Sequence, residues 1–143
     1  MIFPTYFDSK KSLNLYGLTK DFNFLKNLYI NKKLPKVLML TGKKGSGKAT
    51  LINHLMFFIF DQKNYDDKIN KLKKNTNFYN QFSNNIFENI IYLSGSDFKN
   101  IKVEDIRNLK KKIYQTSISN KSRFIILDDV ELFNHNSLNA LLK

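Results

Sequence analysis

A glycine-rich turn between an apolar run and a helix is the stretch best suited to chemistry. It runs from Val37 to Thr50 and reads Val-Leu-Met-Leu-Thr-Gly-Lys-Lys-Gly-Ser-Gly-Lys-Ala-Thr. Glycines let backbone N–H groups turn toward a phosphate, the helix N-terminus adds partial positive charge, and the lysine reaches the outer phosphates. The pattern predicts that a nucleoside triphosphate is bound by Gly42, Lys43, Lys44, Gly45, Ser46, Gly47, Lys48, Ala49 and Thr50.

One position departs from the Gly-x-x-x-x-Gly-Lys-[Ser/Thr] pattern. Gly42, Gly47 and Lys48 match, but Ala49 stands where a hydroxyl normally binds Mg²⁺. Thr50 has a hydroxyl, but roughly 100° further round the helix. We therefore expect ATP to bind, with or without Mg²⁺, and hydrolysis to be weak or absent. The choice between ATP and GTP stays open, as does a glycine-rich turn without ligand.

An acidic pair forms the second candidate half of the site. The apolar run Ser122–Leu127 predicts a strand, and Asp128 and Asp129 follow it. P-loop proteins place a Mg²⁺-organising aspartate at such a strand end, so Asp128 is the predicted metal-side carboxylate. Asp129 stands where many ATPases have a glutamate that activates water. Its side chain is one methylene shorter, so this predicted catalytic pair also favours slow hydrolysis.

The elements that must position these groups alternate between helix and strand. An irregular arm is expected at 1–18, and a loop with at most a short helix at 61–85, which is rich in Asn, Lys and Tyr. Residues 94–102 are expected to be a turn-rich connection. The predicted helices are 19–32, capped by Thr19, then 48–60, 103–115 and 134–143, and the predicted strands are 36–40, 89–93 and 122–127. This order predicts an α/β fold with a parallel sheet.

Composition excludes several classes of function. The chain has 143 residues and no cysteine, so disulfides, cysteine zinc sites and thiol catalysis are excluded. No apolar run is long enough for a membrane span and no signal pattern begins the chain, so we expect a cytoplasmic protein with no membrane partner.

Charge is a weaker guide than composition. The net charge of +12 suits nucleic acid, but it comes almost wholly from lysines spread along the chain. DNA contact is therefore left open. The run Lys110–Lys112 is interpreted as a solvated helix face, with phosphate contact as the alternative. His54 has no partner at ligand spacing and is interpreted as an ordinary packed or solvent-facing side chain.

Six short segments combine in a pattern that fits few families. They are Leu34-Pro35, Val37-Leu-Met-Leu-Thr-Gly, Gly45-Ser-Gly-Lys-Ala-Thr-Leu, Val103-Glu-Asp-Ile-Arg-Asn-Leu, Phe124-Ile-Ile-Leu-Asp-Asp and Asn139-Ala-Leu-Leu-Lys. Over roughly residues 17–143, outside 61–85, the chain resembles the amino-terminal part of bacterial clamp-loader subunits of the AAA+ class. The delta-prime subunits of DNA polymerase III are the best match.

The resemblance implies a partial AAA+ P-loop domain at 19–143, a three-layer sandwich around a parallel sheet. It implies phosphate binding at Gly42, Gly45, Gly47, Lys48 and Thr50, and an acidic strand end at Asp128 and Asp129. The implied role is nucleotide binding and assembly in a five-subunit ring that uses ATP to load the sliding clamp on primed DNA. The implied partners are the delta and tau/gamma subunits, with the clamp contacted indirectly and primer-template DNA contact left open.

Two departures from the family pattern follow. Many relatives hold a zinc ion through cysteines where this chain has 61–85, so no zinc is expected. The family also places a fourth strand between the P-loop strand and the Asp128 strand. The sequence ends inside the helix before it, so we expect a sheet truncated before that strand, unpaired backbone groups and a marginally stable piece of a longer protein.

Three other functions compete with this interpretation. A tau/gamma-like motor ATPase would carry Ser or Thr at position 49 and Glu at position 129, and neither is present. A small P-loop NTPase or kinase would place the Asp128 strand directly beside the P-loop strand. The third is a P-loop-shaped scaffold with no ligand.

Overall fold

The computed structural model describes residues 8–95, 103–114 and 121–142. The chain divides into two compact units, Met1–Asn84 and Asn85–Lys143. Residues 1–7 of the predicted arm and 96–102 of the predicted connection lie outside the described residues. None of the described helices is long and apolar enough to cross a bilayer.

Two helices form the centre of the first unit. Helix α1 spans Thr19–Ile30 and helix α2 spans Lys48–Phe60, close to the predicted bounds. Apolar residues at helical spacing turn Phe22 and Leu25 of α1 inward, with exposed fractions of 0% and 3%. The predicted cap is wrong in detail, because Leu18 occupies the N-cap position and the Thr19 hydroxyl accepts a hydrogen bond from Asn70.

The segment 61–85 is more ordered than the sequence indicated. After a 3₁₀ turn at Gln62–Asn64 it forms an antiparallel pair of short strands, β1 (Tyr65–Asp66) and β2 (Lys71–Leu72), and then helix α3 (Asn77–Ser83). The prediction of a loop with at most a short helix is therefore wrong for this segment. Its polar composition concealed aromatic residues that reach the core. Those buried below one tenth exposure are Tyr65, Phe78, Tyr79 and Phe82.

Those aromatic residues pack on helix α2. The Phe57 ring meets the rings of Phe78 and Phe82 edge-on, with centroids 4.8 and 5.4 Å apart. The ring centroid of Tyr65 lies 5.5 Å from that of Phe22 on α1. Burying rings of this size is among the largest apolar contributions a small core can contain. The segment 61–85 therefore forms part of the core around helix α2.

The second unit is built on a parallel pair of strands. Strand β3 (Ile90–Ser94) pairs with β4 (Phe124–Asp128), in the register Ile90 to Phe124 and Ser94 to Asp128. Helices α4 (Val103–Tyr114) and α5 (His135–Leu142) pack together in this unit. The core consists of Leu93, Ile106 and Phe133. The described chain is thus α/β with a small parallel sheet, and the strands and helices predicted here are confirmed within two residues.

The predicted strand at 36–40 is absent. These residues form neither helix nor strand, and Val37, Leu38 and Met39 have exposed fractions of 87%, 41% and 77%. A strand requires a hydrogen-bonded neighbour, and within the described residues none pairs with this segment. The run is apolar, but no strand in the described part of the chain pairs with it.

Candidate functional site

The glycine-rich turn folds as a loop that ends at the N-terminus of α2. Gly42, Gly45 and Gly47 have φ values of +151°, +80° and +84°. Gly47 is the N-cap residue of α2, and its carbonyl accepts the Leu51 N–H at 2.8 Å to begin the helix. The left-handed conformation at the cap favours glycine because it has no Cβ. These three glycines therefore stand where the backbone takes conformations that favour glycine.

Lys48 closes this loop on itself. Its Nζ donates to the carbonyl oxygens of Gly42 and Lys43, at 2.9 and 3.0 Å. The Ser46 N–H also donates to the Lys43 carbonyl, at 3.2 Å. The cation is therefore held by neutral carbonyl acceptors, and no carboxylate among the described residues pairs with it. An incoming anion would meet an unneutralised positive charge.

The other predicted loop residues differ in their surroundings. Residues 42–46 are exposed, which leaves the loop accessible, while residues 47–50 are half-buried. Ala49 lies within the first turn of α2, where its methyl group offers no oxygen. Thr50 follows it on the helix and does not replace the missing hydroxyl at position 49.

Sequence reasoning missed the residue that packs against the loop. A Cβ placed on Gly47 would lie 2.8 Å from Cδ1 of Leu18. Leu18 precedes α1, so the start of α1 and the start of α2 meet at this glycine. No periodic pattern marks Leu18, because this contact depends on how the two helices pack.

The acidic strand end is held by hydrogen bonds within the second unit. Asp128 is half-buried; its Oδ1 accepts the N–H of Asp129 at 3.0 Å, and its Oδ2 accepts a short hydrogen bond from the hydroxyl of Tyr92. Tyr92 faces Ile126 in the parallel register, two residues before Asp128. Alignment of the two strands from sequence would have indicated this contact.

Asp129 has an unusual backbone conformation. Its φ and ψ are both 48°, in the left-handed region, and it caps a 3₁₀ turn at Val130–Leu132. A Cβ on Gly95, just after β3, would overlap the Asp129 carbonyl oxygen and lie 2.9 Å from Cβ of Leu132. Gly95 therefore allows the ends of the two strands to approach closely. A strained non-glycine residue at a strand end is typical of functional sites, although strain alone assigns no role.

The two halves of the predicted site lie in different compact units. The glycine-rich loop and Lys48 belong to Met1–Asn84, and Asp128 and Asp129 belong to Asn85–Lys143. Across residues 8–95, 103–114 and 121–142, no group of three or more His, Asp and Glu side chains is arranged to hold a metal ion. The structure thus builds each half separately.

His54 is a packed residue, one of the two interpretations offered for it. Its side chain is fully buried, with Nε2 donating to the Ser12 carbonyl at 3.1 Å and Nδ1 3.0 Å from the Tyr65 hydroxyl. The Ser12 oxygen can only accept, so Nε2 carries the proton and Nδ1 accepts from Tyr65. Burial lowers the pKa of His54 to about 4, against the opposing effect of the Ser12 bond. Burial also raises the pKa of Tyr65, helped by Asp67 and Asp66, so its hydroxyl remains a donor.

Comparison with known proteins identifies the family. The family model described as "DNA polymerase III, delta subunit" matches residues 17–143. The chain belongs to the DNA polymerase III delta subunit family. No curated protein and no solved structure matches it.

Membership of the DNA polymerase III delta subunit family has direct consequences. The chain is a clamp-loader-related subunit of DNA polymerase III, a protein of DNA replication that associates with components of that complex. The match begins at residue 17, next to Leu18, and includes both the glycine-rich loop and Asp128. It also spans the insertion 61–85 that forms part of the first unit's core.

Proposed function

We propose that the chain acts as a delta-prime-like subunit of the clamp loader, with an AAA+ type P-loop that binds ATP and does not turn it over efficiently. Its role is assembly with the delta and tau/gamma subunits, so that the loader can place the sliding clamp on DNA. The observation that carries the nucleotide part is the loop itself. Lys48 is presented at an accessible glycine-rich turn, with its Nζ held by the Gly42 and Lys43 carbonyls.

The residues that would hold the triphosphate are the backbone N–H groups of 42–48 and the Lys48 amine. Lys43 and Lys44 are exposed on the same loop and add positive charge. The N-terminus of α2 contributes its partial charge to the same place. These groups fit an anion with several phosphates better than a neutral ligand.

The fit to Mg²⁺ is poorer. Ala49 supplies no ligand, and both carboxylate oxygens of Asp128 already accept hydrogen bonds, from Tyr92 and from Asp129. Those oxygens keep free lone pairs and can accept further hydrogen bonds. A Mg²⁺ ion would supply charge neutralisation at the phosphates. We expect its contribution to affinity to be small in this chain.

The competing functions fare differently. The motor ATPase is disfavoured by Ala49 and Asp129. The small kinase predicts the Asp128 strand next to the P-loop strand, and because 36–40 forms no strand here, that order stays a prediction. The ligand-free scaffold predicts no nucleotide binding, so a binding measurement distinguishes it from the proposed function.

Calorimetry tests the nucleotide site. ATP and ATP-γ-S are titrated into the full 143-residue chain, with and without Mg²⁺. We expect binding that Mg²⁺ strengthens little and that Lys48→Ala abolishes. Lys44→Ala is the matched control, because it removes the same charge from the same loop at a side chain without these carbonyl bonds. Ala49→Thr should restore a dependence on Mg²⁺.

Three outcomes would overturn parts of the proposal. Equal loss in Lys44→Ala and Lys48→Ala would show general charge attraction in place of a P-loop. Tight Mg²⁺-dependent binding with turnover would favour a small NTPase. No binding by a folded chain would leave the scaffold, and failure to co-purify with the delta and tau/gamma subunits would count against the assembly role.

A further inference from the structure

We propose that His54 is a positioning residue for the glycine-rich loop. It holds the arm segment, residues 12–18, against helix α2, and the last residue of that segment, Leu18, packs on the N-cap Gly47. This role rests on the proposed nucleotide site and gives that site a supporting residue outside the motif. A continuous set of contacts within the first unit runs from the buried ring to the loop.

Two contacts join the arm segment to α2. At its first residue, the Ser12 carbonyl accepts a hydrogen bond from Nε2 of His54 at 3.1 Å. At its last residue, Leu18 lies so close to Gly47 that a Cβ on the glycine would approach Cδ1 of Leu18 to 2.8 Å. His54 follows Gly47 by about two helical turns, roughly 10 Å along the axis. The arm segment therefore connects the buried ring to the start of the helix.

The middle of the arm segment pairs with the hairpin formed by β1 and β2. The Leu15 N–H donates to the Asn70 carbonyl at 3.1 Å, and the Leu72 N–H donates to the Leu13 carbonyl at 2.9 Å. The residues between these bonds form an antiparallel bridge. The arm segment and the hairpin therefore form one hydrogen-bonded layer, so a shift of one moves the other.

His54 also holds the hairpin. Its Nδ1 accepts a hydrogen bond from the Tyr65 hydroxyl at 3.0 Å, and its ring is fully buried. Burial lowers the pKa of His54 to about 4, so at neutral pH the ring keeps one donor and one acceptor, as Ser12 and Tyr65 require. Removal of the ring would leave the buried Tyr65 hydroxyl and the Ser12 carbonyl without these bonds, which is costly away from water. One side chain on α2 thus fixes both the arm segment and the hairpin.

Helix α1 fixes Leu18 relative to the hairpin. The Asn70 side chain donates from Nδ2 to the Thr19 hydroxyl at 3.1 Å, immediately after Leu18. Further along α1, Lys26 Nζ lies 2.7 and 2.8 Å from the two carboxylate oxygens of Asp67 in the hairpin turn. The hairpin therefore holds α1 at two points, and Leu18 is held with it.

The N-cap is where these contacts reach the proposed phosphate site. The Gly47 carbonyl accepts the first hydrogen bond of α2 from the Leu51 N–H at 2.8 Å, so the position of the glycine sets where the helix begins. The N–H groups that would meet a phosphate belong to 42–48, which includes this glycine. A bound phosphate would hold Gly47 against Leu18, and a displaced Leu18 would release the loop. By linkage, the two effects are equal in free energy.

Calorimetry with ATP and the full chain at neutral pH gives the first test. His54→Leu deletes both hydrogen bonds and should weaken ATP binding about fivefold or more, the lower end of typical couplings between sites. His54→Gln supplies an amide N–H for Ser12 and a carbonyl oxygen for Tyr65, so it should recover most of the affinity.

Asn53→Leu is the matched control for these variants. Asn53 lies on the same helix and is 2% exposed, and its side chain has no hydrogen-bond partner among the described residues. The substitution therefore changes a buried polar side chain of α2 to leucine without breaking a bond to the arm segment. It should bind ATP as the unchanged chain does.

Hydrogen exchange gives a second readout, which a merely structural role would not produce. ATP should slow exchange of the Leu15 and Leu72 amides, which bond the arm segment to the hairpin, relative to amides in the centre of α2 that report global stability. Leu18→Ala should abolish this slowing while the amides of 42–48 still respond to ATP, because the shorter side chain breaks the contact with Gly47. Circular dichroism checks that each variant is folded.

The outcomes separate this role from the proposed function. No ATP binding by the folded, unchanged chain would overturn both. Binding by the unchanged chain with equal affinity in His54→Leu would overturn the positioning role alone, as would an equal loss in Asn53→Leu. If His54→Leu does not fold, Leu18→Ala decides the question, because slowing at Leu15 and Leu72 that persists in this variant overturns the inference.

Discussion

The two compact units hold their site residues by different means. In the first unit, helix α2 is buried along most of its length, from Leu51 to Phe58, and it packs against α1 and against aromatic side chains of 61–85. In the second, β4 alternates between half-buried residues and the more exposed Ile125 and Leu127, at 46% and 44%. The position of the glycine-rich loop depends on helix packing, whereas the position of the acidic strand end depends on one parallel strand pair.

This difference explains how the glycine-rich loop is held although residues 36–40 before it form no strand. The loop is fixed from its helical side, through Gly47, Leu18 and the start of α2. The apolar residues 37–39 on its other side remain exposed. In the proposed AAA+ fold a further strand would pair with residues 37–39, and this pairing stays a prediction.

The largest expected effect comes from removing the ring at the centre of the aromatic cluster. Phe57→Ala should lower the free energy of unfolding by about 3–5 kcal/mol, since it deletes a ring that is 1% exposed and packed on Phe78 and Phe82. Urea denaturation measures the change. Phe24→Ala is the control, because Phe24 is 63% exposed and its loss should change stability by less than about 0.5 kcal/mol.

If Phe57→Ala and Phe24→Ala cost the same, the insertion does not form the core of the first unit. Hydrogen exchange adds a sharper comparison. Amides of α2 should lose protection in Phe57→Ala while those of β3 and β4 keep theirs, because the rings described around Phe57 belong to the first unit.

The second effect is a pH dependence specific to the first unit. His54 is neutral when folded and its pKa falls from 6.5 to about 4, so the unfolded chain binds the extra proton. Its contribution is fully present above pH 6.5 and is lost as the pH falls toward 4. The loss is about 3 kcal/mol in total, at 1.36 kcal/mol for each pKa unit.

Denaturation at several pH values between 4 and 7 measures this loss. His54→Gln removes the titrating ring while keeping a polar side chain, so its stability should change less with pH over this range. An unchanged pH dependence in His54→Gln would assign the acid sensitivity to other groups. A uniform loss of exchange protection in both units would do the same.

The smallest effect tests the second unit. Gly95→Ala should cost about 1–3 kcal/mol, the range for overpacking, because its Cβ would overlap the Asp129 carbonyl oxygen. Thermal unfolding measures the loss. At Gly17 a Cβ meets nothing within 4 Å, so Gly17→Ala carries only the strain of its φ of +72° and shows the backbone cost alone. A Gly95→Ala variant as stable as the unchanged chain would show that the strand ends can move apart.

The predicted elements were confirmed where sequence periodicity was strong. Helix α2 was predicted at its observed bounds, and β3, β4 and α4 lie within two residues of their predictions. The strand pair in 61–85 was missed because each strand has only two residues, too few to show a period. The prediction of a strand at 36–40 was wrong because strand pairing is not a local property. An apolar run shows that its residues favour a strand, but it does not show which strand lies beside them.

The sequence by itself determined the type of each candidate group. Glycines with positive φ, a lysine at the start of a helix and an aspartate after an apolar strand follow from local backbone rules, and these fixed the loop and the acidic strand end. Only the tertiary structure decided what supports them. Leu18 against Gly47, Tyr92 on Asp128 and Gly95 beneath Asp129 each join residues distant in the chain, and such contacts arise from packing, which no local pattern encodes.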